Sequence, residues 1–151
     1  MRRQEREITD KKEIEAIIQQ ALVCRLAMVE GDTPYVVPLC FGYADRTLYF
    51  HSANEGKKLE ILKKNNRVCF EFDIDQSLKK NEEACAWSMM YKSVIGFGTA
   101  RFLTDFESKR KALDIIMRNY SDKSFAYQKS ALEKTIVIKV DIEQMTGKQS
   151  P

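Results

Sequence analysis

Between Tyr49 and Lys64 the chain reads YFHSANEGKKLEILKK, and this stretch holds its only histidine. His51 and Ser52 end an apolar run, and Gly56, Lys57 and Lys58 open a helical pattern. A phosphate can be bound from such parts. Ser52 offers a hydroxyl, Lys57 and Lys58 offer positive charge, and Gly56 leaves the N–H groups of a helix start clear of side chains. Histidine as a residue type changes charge near neutral pH, so His51 could exchange a proton with a molecule held at the strand end. The same residues also make an ordinary solvated helix start, and a lone histidine is commonly structural.

Two other stretches could receive a flat ligand. In Val36–Phe41 (VVPLCF), Pro38 cannot donate a ladder hydrogen bond and belongs at an edge or a bulge. Backbone groups exposed there could bond a heteroaromatic ring lying on apolar side chains. In Trp87–Val94 (WSMMYKSV), alternation places Trp87, Met89, Tyr91 and Ser93 on one face. That composition suits a core, a subunit contact or a cofactor wall. Acyl-transfer chemistry is not expected, with one histidine and no serine in a nucleophile elbow. Cys24, Cys40, Cys69 and Cys85 contain no CxxC pair, so no metal site is expected. All four lie in apolar runs and are expected as buried, reduced thiols of a cytoplasmic protein.

The elements that must position these residues follow from periodicity. Asp10 and Glu13 resemble a capping box before Ile14, Ile17, Ile18, Ala21 and Leu22, which share one helical stripe. Strands are expected from Cys24 to Val29, from Tyr35 to Tyr43 with both faces covered, and from Thr47 to Ser52. The turns at Gly31-Asp32 and Asp45-Arg46 make these neighbours antiparallel. A short helix follows Gly56. Arg67–Asp75 alternates as a strand, Gln76–Glu83 is expected as a surface loop, and Trp87–Leu103 is a long strand with Gly96 and Gly98 inside it. Thr104–Glu107 is a second capping box, and a last strand spans Thr135–Met145 with a tail behind it. About six strands and three helices in this order suggest a mainly β, antiparallel, closed or partly open barrel.

The 151 residues fit one domain, 1–151. A net charge of +3, with Lys and Arg mixed among Asp and Glu, gives no case for nucleic acid. No apolar run reaches the roughly 18 residues of a membrane span, and MRRQEREITDKKE lacks the apolar segment of a secretory signal.

Taken in succession, VCRLA (23–27), PYVVPLCFGY (34–43), LYFHSANEGKKLEIL (48–62), RVCFE (67–71), YKSVIGFGTA (91–100) and TGKQSP (146–151) resemble the pyridoxamine-phosphate-oxidase-like flavoproteins, and within them the nitroimidazole-resistance branch. The resemblance implies a six-stranded split β-barrel and a homodimer with FMN at the subunit interface. It implies backbone contacts from Val37, Pro38, Leu39 and Cys40 to the flavin ring, with His51 nearby as a proton donor. Ser52, Lys57 and Lys58 would take the phosphate, and Tyr91, Ser93, Val94 and Lys148 of the other subunit would complete the pocket. The implied activity is FMN-dependent reduction of a small oxidised or nitroaromatic substrate by NAD(P)H, which would bind transiently, since no GxGxxG stretch is present. FAD is the less favoured flavin. The Arg/His substrate tail of true pyridoxamine-phosphate oxidases is missing, so vitamin B6 oxidation is not expected. Two alternatives share the fold: a flavin carrier or sensor without turnover, and a haem-binding protein with His51 on the iron.

Overall fold

The computed structural model describes residues 3–151. Its elements are β1 (Glu7–Ile8), α1 (Lys11–Gln20), β2 (Cys24–Glu30), β3 (Thr33–Leu39), β4 (Gly42–Ala44), β5 (Thr47–Ser52), α2 (Lys57–Lys64), β6 (Arg67–Lys79), β7 (Ser88–Leu103), α3 (Phe106–Arg118), α4 (Lys129–Lys134) and β8 (Ile136–Ser150). The eight strands form one antiparallel sheet with the path β3-β2-β6-β7-β8-β5-β4, and β1 pairs with β8. β3 and β4 end this path. They are consecutive in the chain, joined through Cys40 and Phe41, but no ladder links them, so the sheet is not closed by hydrogen bonds. Among the described residues, no helix is long and apolar enough to cross a membrane.

The mainly β, antiparallel expectation matches. The structure has eight strands and four helices where about six and three are expected, and three boundaries differ for physical reasons. First, the apolar run Tyr35–Tyr43 is two strands, not one strand covered on both faces. Tyr120 breaks it: its hydroxyl accepts the Phe41 N–H at 2.9 Å and donates to the Leu22 carbonyl at 3.0 Å, so a side chain takes the place of a ladder partner. β3 is thereby an edge strand, as Pro38 requires. Second, Gln76–Lys79 is not a loop. β6 continues through a bulge between Ile74 and Ser77, where Asp75 takes φ +59°, because β7 offers a partner that polar side chains do not refuse. Third, residues 146–150 are strand, since β7 and β1 flank them (Ser93↔Lys148, Ile8↔Gly147).

Alternation builds the core. Leu48, Phe50, Phe70, Phe72, Val94 and Val140 point inward and are fully buried. Ile14, Ile17 and Ile18 of α1 join them. Phe72 packs on Phe41 at 4.8 Å and on Phe70 at 5.9 Å between ring centroids. Gly96 lies directly against the Phe70 ring, and a methyl there would also stand 2.7 Å from the Gln144 carbonyl oxygen.

Two caps differ from expectation. Asp10 caps α1 by accepting from the Lys12 N–H at 2.9 Å, but Glu13 does not return the bond; it pairs with Lys92 at 3.2 Å. On α3 the cap is Asp105, not Thr104, and Glu107 pairs with Arg110. The four thiols are free, and only Cys24 is buried. Alternation turns Cys69 partly outward, Cys40 sits at the β3–β4 bend, and Cys85 lies exposed in the turn before β7.

Candidate functional site

The first candidate group forms where β3, β5 and α2 converge. On β5, Leu48 and Phe50 are buried, which sends His51 outward to an exposed position and leaves Ser52 half-buried. β8 covers one edge of this segment (His51↔Val137, Ser52↔Ile136). On the other edge β4 reaches only Tyr49, so the edge is free beside His51 and Ser52. Val37 and Leu39 lean on the core, while Pro38 and Cys40 are exposed on the outer side of the edge strand.

Gly56 begins α2 at φ +128° and ψ 160°, a conformation an L side chain rarely adopts, with open space where a side chain would be. No side chain caps the helix. Glu60 N–H and Leu59 N–H bond to the Gly56 carbonyl, and the Lys57 and Lys58 N–H groups head the helix. Lys57 lies 5.1 Å over the Tyr35 ring, which ties α2 to β3. Lys58 is half-buried, and that burial pushes its ammonium below the ordinary lysine range. Among the described residues no carboxylate pairs with either lysine. A half-buried charge without a counter-ion, beside a second cation and an uncapped helix start, suits an anion.

The second group sits at the far end of β8. Lys148 stands opposite Ser93 and lies 5.7 Å from the Tyr91 ring. Ser93 is buried, and Val94 turns wholly into the core. Val94 therefore offers no side chain to a ligand, and β6 and β8 flank it on both edges. Ser52 pairs with residue 136 of β8 and Ser93 with residue 148. Twelve residues separate those points, about 40 Å of strand at ~3.3 Å per residue. One chain does not bring the two groups together.

Between them runs an outward-facing stripe. Strand register aligns Val36, Ala27, Cys69, Phe97 and Gln144 across β3, β2, β6, β7 and β8. Val36 is 60% exposed and Phe97 43%. One row along, Arg25 pairs with Glu71 at 3.1 Å and, more closely, with Asp73. Burial, then the nearby Asp73, pushes the Glu71 carboxyl up despite Arg25. A cleft of about 400 Å³ lies beside this ion cluster, lined by Leu22, Val23, Arg25, Asp73 and Gln76. It does not include His51 or the lysine pair. Sequence reasoning missed Tyr35 and Tyr120. Tyr35 lies on β3, two residues from Val37, but nothing local in the sequence ties it to Lys57. The Tyr120 hydroxyl acts across 79 and 98 residues, where no local pattern can see it.

A family model described as pyridoxamine 5'-phosphate oxidase matches residues 10–149. No curated protein matches. Among solved structures, a candidate 5-nitroimidazole antibiotic resistance protein from Bacteroides thetaiotaomicron is 44% identical, with a TM-score of 0.86 over 95% of this chain and 86% of that one. An FAD-binding protein from Mesorhizobium loti is 26% identical, with a TM-score of 0.69 over 97% and 98%. The FAD and heme binding protein from Mycobacterium smegmatis shares the fold, with a TM-score of 0.87 over 96% and 73% at 18% identity.

Proposed function

The chain belongs to the pyridoxamine 5'-phosphate oxidase family, and on that premise we propose that it is an FMN-dependent oxidoreductase working as a homodimer. NAD(P)H would be the electron donor and a small oxidised compound, with nitroaromatics foremost, the acceptor. The open sheet is read as a split barrel whose seam lies between β3 and β4. The observation that carries the reading is the Lys57–Lys58 pair at an uncapped helix start, one ammonium half-buried and without a counter-ion. FMN ends in a phosphate that matches this charge and donor set.

In this reading Ser52, Lys57, Lys58 and the first N–H groups of α2 hold the phosphate. The edge of β3 from Val37 to Cys40 faces the ring, and Pro38 leaves one donor position empty there. His51 lies on the free edge of β5, where its imidazole N–H can donate to the ring end or to a substrate atom above it. Bound flavin would supply two-electron and one-electron chemistry that no side chain of this chain can perform. Tyr91, Ser93 and Lys148 come from the second chain. Their separation from the lysine pair within one chain supports a shared site, and the stripe through Val36 and Phe97 is the apolar surface on which two chains would meet. The 44% identical structure's link to nitroimidazole resistance favours a nitroaromatic acceptor.

The test is the visible spectrum of the purified protein with mass identification of what acid releases. Flavin absorbance and released FMN are expected. A colourless protein that takes up no added FMN defeats the reading, and flavin that stays oxidised under both nicotinamide donors defeats its catalytic half.

A further inference from the structure

Past the bulge at Asp75, β6 and β7 leave the rest of the sheet. β2 pairs with β6 only as far as Glu71, and β8 pairs with β7 only from Tyr91. Ser77–Lys79 and Ser88–Met90 thus form a two-stranded arm with no flanking strand. Such a ribbon is marginal alone in water, and this one carries apolar side chains outward. Leu78 and Met89 are paired directly and are 56% and 42% exposed, and Trp87 is 48% exposed. Trp87 is nevertheless fixed: its indole N–H donates to the Asn81 carbonyl at 2.7 Å. Asn81 in turn accepts from the Glu83 N–H at 3.1 Å, which closes the tip. An ordered, half-exposed aromatic is the form a contact anchor takes.

Direction decides what it contacts. Met89 shares a face with Tyr91, Ser93, Ile95 and Phe97, so the arm prolongs the surface on which two chains would meet. Trp87 lies four residues beyond Tyr91, about 13 Å farther along at ~3.3 Å per residue. If Tyr91 reaches the second chain's site, the arm continues across its mouth.

We propose that each protomer's arm closes over its partner's flavin site, where Leu78, Trp87 and Met89 form the apolar wall met by the second planar ligand. The proposal rests on the shared-site reading above. Three thiols at three places separate the two in one experiment: Cys69 in the stripe, Cys40 at the β3 edge, and Cys85 at the arm's tip. N-ethylmaleimide labelling, resolved by peptide mass, is compared between FMN-loaded wild type and Phe97→Asp, which places a charge in the stripe. Cys85 labelling should be slower in the loaded wild type by about tenfold. In parallel, Trp87→Ala and Met89→Ala should keep the dimer and its flavin. They should weaken binding of metronidazole, the nitroaromatic probe, by about tenfold when read from the visible flavin band. Cys85 labelling at equal rates while Cys40 and Cys69 are protected overturns the arm and leaves the shared site standing. Unchanged metronidazole binding in both arm variants likewise overturns it. A protein without flavin, with all three thiols open, overturns both.

Discussion

At the residue scale, the lysine pair makes the sharpest claims. A charge-assisted hydrogen bond contributes about 1.5–3 kcal/mol, so Lys57→Ala and Lys58→Ala should each weaken FMN binding about 10–100-fold in a fluorescence titration. Lys58 adds a pH signature. Burial lowers its affinity for a proton, so the folded chain carries that charge at a cost below the depressed value. The cost fades as pH rises toward the ordinary lysine value. A bound phosphate supplies the missing counter-charge, so FMN affinity should fall as pH rises through the depressed value. Lys58→Met should bind more weakly with a flatter alkaline profile; an unchanged profile would mean that Lys58 does not face the phosphate. His51→Ala should retain FMN but slow turnover by about 10²–10⁴, the usual range for one proton-transfer group. The residue types at 51–58 were legible because a strand end, a glycine and two cations are local features. The inward turn of Val94 follows from the same alternation that places Phe70 and Phe72. Tyr35 and Tyr120 were not legible, because each acts through a partner brought close only by the folded sheet.

At the element scale, strands emerged where alternation is strong and failed where the partner decides. The arm after Asp75 is polar on paper, yet β7 extends it; the segment 146–150 looked like a tail, yet β1 and β7 hold it. Helix starts show the same limit. Asp10 caps as its position suggests, but Glu13 is drawn away by Lys92, a tertiary neighbour. Two substitutions test the packing. Gly96→Ala sets a methyl against the Phe70 ring and the Gln144 carbonyl and should lower unfolding free energy by about 1–3 kcal/mol in urea melts. Lys109 is buried on α3 and donates to the Leu132 and Thr135 carbonyls at 3.2 and 3.0 Å, which fastens the end of α4 just before β8. Lys109→Met should cost about 2 kcal/mol by the same measurement. If it costs nothing, α4 is not held by that ammonium.

At the scale of the whole molecule, one chain presents two half-sites at opposite ends of β8 and an apolar stripe between them. The proposed homodimer would account for all three together. On this proposal flavin binding and association are one event: Phe97→Asp should lose both, since the two halves within an isolated chain lie too far apart to share one flavin. The most direct measurement is sedimentation velocity of the purified protein followed at both the protein's ultraviolet and the flavin's visible absorbance. All the colour should move with a particle of twice the 17.5 kDa chain mass, and in the variant the boundary should be colourless and half as heavy. Flavin sedimenting tightly bound to a single chain would contradict the shared site.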